Sequence, residues 1–279
     1  MHPSFVRRMV ISTAALAAGW AAMPAAPALA QGDLLVAPTR IVMDGRRGTE
    51  VILSNIGSEE AVYRINLELR RMGEDGQLYD VTEEEANQLE EAALEMVRFA
   101  PRRVTLPPGQ PQAVRLASRP PAELPDGEYR AHMSFRAIPR PQAAEDLQQS
   151  GGVAVQLIPI YAVTIPIIIR KGNITAQATL SNPGLLENPD GSRTFQVVME
   201  RSGKASTFGQ LRVFRAGTND VLLTVPGVAI YPEIDRRLVS APLSPEEAAA
   251  LGGQRVRIEY TEMPAQGGTL IASIETTLG

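Results

Sequence analysis

The sequence has no cysteine, which excludes disulfides, thiolate metal sites and a cysteine nucleophile, and leaves core burial to supply the stability. Lysine is almost as scarce, since Lys171 and Lys204 are the only two and every other basic residue is arginine. Arginine's planar fork suits bidentate carboxylate recognition, so the composition makes that chemistry available without placing it. Of the two histidines, one is His2 and the other His132, and the single tryptophan is Trp20. There is no glycine-rich phosphate loop and no nucleophile elbow. His132 shares parity with Arg130, Ser134 and Arg136, which predicts a solvated histidine on the polar face of a strand rather than a general base. With no catalytic constellation in view, the expectation is a protein that is not an enzyme and needs no metal or cofactor.

The chain opens with Arg7-Arg8, an apolar run and the small-residue triplet Ala28-Leu29-Ala30, the three parts of a secretory signal peptide. Residues 1–30 are therefore read as a leader and Gln31 as the mature start, outside the cytoplasm. The arginine pair alone is compatible with a twin-arginine route, but the rest of that signal is missing. The leader holds two of the 27 basic residues and none of the 31 acids, so the mature chain carries 25 against 31, a net charge of −6. That balance argues against nucleic acid as a partner.

Short alternating runs separated by turn residues recur along the chain, the pattern of an all-β sandwich protein. In "AVYRINLELRR" Tyr63, Ile65, Leu67 and Leu69 alternate with Arg64, Asn66, Glu68 and Arg70, which predicts one core face and one wet face. Two short helices interrupt the pattern. In "TEEEANQLEEAALEMV" the pair Thr82 and Glu85 reads as a capping box, Glu83 to Glu85 as an acidic first turn, and Leu89, Ala93 and Met96 as one face. In "SPEEAAALGG" Ser244 reads as N-cap, Pro245 as the first helical residue, Glu247 as the box partner and Gly252 as the stop. The simplest partition is a leader over 1–30, one β domain over 31–171 and a second over 172–279, joined near Lys171-Gly172-Asn173.

The least ordinary stretch is "GGVAVQLIPIYAVTIPIIIRKGN", residues 151–173. Its apolar part, Val153 to Ile169, is short of the roughly 20 residues that cross a bilayer as a helix, and Pro159, Pro166 and many β-branched residues disfavour a helix. No stable membrane insertion is expected. As a strand its odd positions are apolar throughout, yet the two prolines have opposite parity, and proline is confined to edges, strand starts and bulges. Two readings follow: a long core strand that bends between sheets, or an exposed edge whose first part, Val153, Val155 and Leu157, is offered to a partner by strand addition. A bare apolar edge is an aggregation hazard, so the second reading needs a partner or a second copy to cover it.

The order "APTRIVMDG", "EVILSN", "VRFAPRRVTLPPGQPQAVRL", "LPDGEYRAHMSFRAIPRP" and then the apolar strand resembles the periplasmic pilus-assembly chaperones of the PapD-like, chaperone/usher type, over most of Leu34 to Lys171. The resemblance implies a boomerang of two immunoglobulin-like domains. It also implies an ATP-independent activity in the periplasm: one strand is lent to an incomplete pilus or fimbrial subunit until an outer-membrane usher takes that subunit. The lent strand would be the last of the first domain, with Val153, Val155 and Leu157 filling the subunit's groove. The family anchors the subunit's terminal carboxylate with an arginine on the first strand and a lysine on the lending strand. Arg40, in "PTRIV", matches the arginine, while Pro166 stands where the lysine would align, so Arg170 or Lys171 is expected to supply the second charge. The rival reading is a structural or adhesive envelope module of two immunoglobulin-like domains that binds without chaperoning.

Overall fold

The computed structural model describes residues 34–139 and 160–279, which pack as one compact unit. In chain order the first part carries β1 (Leu34–Ala37), β2 (Ile41–Met43), β3 (Thr49–Asn55), β4 (Ala61–Met72), β5 (Leu78–Val81), α1 (Gln88–Met96), β6 (Val97–Ala100), β7 (Arg103–Leu106), β8 (Pro111–Ser118), β9 (Gly127–Ile138) and β10 (Ala162–Lys171). The second carries β11 (Ala176–Glu187), β12 (Arg193–Gly203), β13 (Thr207–Arg215), β14 (Val221–Ile230), β15 (Arg236–Pro242), α2 (Pro245–Leu251), β16 (Arg255–Glu262) and β17 (Leu270–Thr277). Among the described residues the protein is all-β with two short inserted helices, as the alternating runs predict.

The first part is a sandwich of β1-β3-β8-β6 on β2-β10-β9-β4, with β5 and β7 also pairing to β4. Counting β1, β3, β4, β6, β8, β9 and β10 as seven consecutive strands gives the 1-2-5-4 and 3-6-7 sheets of the immunoglobulin arrangement. A second mark of that fold is present: the Tyr129 hydroxyl, at the start of β9, donates to the Pro125 carbonyl at 2.6 Å. The second part packs β11-β12-β15 on β14-β13-β16-β17. Each sandwich has its own core. Val51, Leu53, Ile65, Met133, Phe135, Ile167 and Ile169 fill the first, and Phe195, Val197, Met199, Leu211, Val213, Ile258 and Tyr260 the second. Each such side chain stabilises by roughly 1.5–3 kcal/mol relative to its exposed state, so two independent cores of this size make up for the missing cysteines.

The odd positions of β4 face the core as predicted, with Tyr63 and Ile65 buried and Arg64 and Asn66 exposed. The second helix is also where the sequence places it: Ser244 accepts from the Glu247 amide, the Glu247 carboxylate returns to Ser244, and Pro245 opens the helix. The first helix is not. Thr82 and Glu85 close an isolated turn, and α1 begins five residues later, capped by Asn87 with Glu90 as the box partner. Ala93 and Met96 are buried but Leu89 is exposed. His132 is a further correction. It is fully buried, and neither ring nitrogen has a hydrogen-bond partner. Alternation tells which face of a sheet a side chain is on, not whether that face is wet. Here the outward face of β9 and β10 is itself covered, with Ile168 packed against Tyr231 of the second sandwich.

Among the described residues the apolar segment is a strand from Ala162 onward, and no helix is long and apolar enough to cross a membrane. Val153, Val155 and Leu157 lie outside the described residues. One flank of β10 pairs antiparallel with β9 along its whole length, Ala162 opposite Arg136 through Lys171 opposite Gly127. The other flank pairs with β2, parallel, only from Ile167 to Ile169. From Ala162 to Pro166 no described strand occupies that flank, and Pro166, with no N–H to donate, stands at the boundary. The chain leaves β10 through Gly172 at φ +79°, where a β-carbon would fall 2.2 Å from the Asp126 carboxylate, so only glycine fits this turn.

Candidate functional site

Two arginines converge where the two sandwiches meet. Arg40 immediately precedes β2, which enters the sheet with Ile41 opposite Ile167. Arg40 therefore stands where the flank of β10 passes from occupied to open. Its Nη1 donates to the Tyr231 hydroxyl at 2.9 Å and its Nη2 to the Ser206 Oγ at 3.0 Å. The guanidinium also lies over the Phe208 ring, 4.4 Å from the centroid, and near Tyr231 at 5.4 Å. A cation stacked on aromatic faces is held without being neutralised. All of these holding groups come from the second sandwich.

Arg170, near the end of β10, donates from Nε to the Glu128 Oε2 at 3.0 Å and from Nη2 to the Ser206 carbonyl at 3.2 Å. Glu128 sits directly across the ladder on β9, with a fully buried side chain. The same Glu128 oxygen accepts from the Ser206 amide and hydroxyl, both at 2.9 Å, while Glu128 Oε1 is buried without a partner. Ser206 is thus the hub: it donates twice to Glu128 and accepts from Arg40, tying both arginines of the first sandwich to one turn of the second.

Arg40 and Arg170 line one cavity of about 350 Å³, with Ser206, Thr207, Phe208, Ile174, Ile271 and Glu262 from the second part and Val42 from the first. Thr207 is buried and its Oγ1 has no hydrogen-bond partner. Arg40 uses two of its five donors on protein side chains, so free N–H groups remain for an anionic, planar acceptor. Lys171 is not part of this arrangement. Its Nζ donates to the carbonyls of Pro121, Ala122 and Leu124 and so holds the loop that leads into β9. A larger opening, about 980 Å³, lies between α1 and the Arg119–Leu124 loop, away from both arginines, and Arg98 there caps the carbonyls of Glu95 and Val97. Among the described residues no group of three histidines and carboxylates could hold a metal ion.

Solved chaperone structures resemble the chain. The Pseudomonas aeruginosa CupB2 chaperone matches at a TM-score of 0.45 and 15% identity, over 88% of this chain and 100% of that one. The YadV chaperone matches at 0.46 and 12%, over 88% and 100%. A chain of the CsuC–CsuE chaperone–tip adhesion subunit pre-assembly complex of Acinetobacter baumannii matches at 0.44 and 14%, over 88% and 99%. No family model and no curated protein matches the sequence.

Of the residues expected from sequence, the structure brings Arg40 and Arg170 together and turns the Lys171 side chain to the neighbouring loop. Sequence reasoning missed Glu128, Ser206, Phe208 and Tyr231. Glu128 could have been found, because it directly precedes the corner tyrosine and is the one carboxylate on β9. Nothing in the sequence marks Ser206 or Tyr231, which reach the arginines only because the second sandwich packs there.

Proposed function

We propose that the protein is a periplasmic chaperone that binds an incomplete pilus or fimbrial-type subunit by lending it the free flank of β10, and hands it on for assembly at an outer-membrane usher. The observation that supports this most is the position of Arg40. A partner strand laid on the free flank of Ala162–Pro166 and running parallel to β10 continues the line of β2, so its C-terminus arrives at Arg40, with Arg170 beside it. Main-chain hydrogen bonds then supply affinity and the two guanidiniums fix the register through the terminal carboxylate. In this reading Val153, Val155 and Leu157 extend the same strand and fill alternate pockets of the subunit.

The test is co-expression with a secreted subunit and recovery of the complex from the periplasm. Replacing Val155 and Leu157 together with serine is expected to abolish co-purification while the monomer keeps its wild-type circular dichroism and melting curve. Recovery equal to wild type contradicts the lending step.

A further inference from the structure

The cavity around the two arginines has a wall that a carboxylate alone does not need. Val42 is 44% exposed on β2, and Ile174 and Ile271 are half-buried; all three line the same space as Arg40 and Arg170. Glu262, at the end of β16, also faces it and has no ion pair among the described residues. In a bound chain the last side chain branches one bond away from the terminal carboxylate, so a carboxylate held by Arg40 places that side chain against this wall. Apolar carbon meeting Val42, Ile174 and Ile271 leaves water favourably. A second carboxylate in the same place meets Glu262, and like charges brought together at a partly buried site repel strongly.

We infer that the cavity selects the last residue of the bound chain, admitting an apolar side chain and rejecting an acidic one. Selection of this kind rests on the carboxylate reading above and adds to it a specificity carried by Val42, Ile174, Ile271 and Glu262. One apolar side chain gained and one charge rejected together correspond to a preference of about tenfold or more.

The probe is a fluorescein-labelled heptapeptide of alternating threonine and valine, titrated into the mature chain and followed by anisotropy. It is made in three forms: leucine-ended with a free carboxylate, the same as a C-terminal amide, and aspartate-ended with a free carboxylate. The leucine-ended acid is expected to bind at least about tenfold more tightly than the aspartate-ended one, and Glu262→Lys, checked for an unchanged melting curve, is expected to close or reverse that gap. Equal binding of acid and amide overturns the carboxylate reading, and the selection with it. A weaker amide together with equal leucine and aspartate binding overturns the selection alone. A gap that survives Glu262→Lys unchanged overturns the role given to Glu262.

Discussion

Arg40 shows how a residue can be legible in sequence while its setting is not. The run "APTRIV" places an arginine beside the first strand, but the groups that orient it, Tyr231, Ser206 and Phe208, are more than 160 positions away in the chain, and no local pattern predicts that meeting. His132 shows the converse, where parity gave the face correctly and the wetness wrongly. Burial, with the charges of Arg130, Arg70 and Arg40, pushes its pKa down from 6.5 to about 3, so it is neutral in the folded protein at any pH above that. The unfolded chain takes up a proton near pH 6.5 that the folded chain refuses until about pH 3. Stability therefore falls as the pH is lowered through this window, by about 1.4 kcal/mol per pH unit from this one group. His132→Leu is expected to remove that contribution: urea-unfolding free energies of wild type and variant, compared from pH 7 to pH 4, should converge or cross in the variant's favour as the pH drops. Parallel curves contradict the account of this histidine.

Among the elements, α1 has two successive start signals, Thr82 with Glu85 and Asn87 with Glu90, each with the right spacing for a capping box. The structure resolves the competition by packing. Ala93 and Met96 reach the core from a helix starting at Gln88, whereas Thr82 to Glu85 offer acids and no apolar contact that would offset the ordering of one more turn. Asn87→Ala is therefore expected to cost about 1 kcal/mol in chemical denaturation, and Thr82→Ala only a few tenths; equal costs contradict this helix start. The β strands were easier to read, because period-two alternation survives wherever a strand has a core face. For β10 the sequence left the choice between a buried strand and an edge open. Both descriptions apply to the described part. Ile167 to Ile169 are buried and paired on both flanks, while Ala162 to Pro166 have one flank free and continue into Ile160 and Tyr161, both more than half exposed.

At the scale of the whole molecule, the described residues form two cores linked by a small third cluster, in which Met72 and Ile168 of the first sandwich pack against Ala229 and Tyr231 of the second. Arg130 stacks on the same Tyr231 ring, 3.5 Å from its centroid, and pairs with Glu233. Tyr231 is thus gripped by Arg130 on one side and hydrogen-bonded to Arg40, so the packing of the sandwiches and the aim of Arg40 depend on one side chain. In this arrangement the second sandwich orients Arg40 as much as the first places it. The claim on which the proposal stands is that the open flank of β10 is filled by another chain, and amide hydrogen exchange reads it most directly. In the free protein the outward-pointing amides among Ala162–Ile165 should exchange fast, and in the isolated complex with a secreted subunit they should slow by about tenfold or more, as amides do when a ladder closes over them. A purified complex in which those amides exchange at the same rate as in the free protein contradicts strand lending.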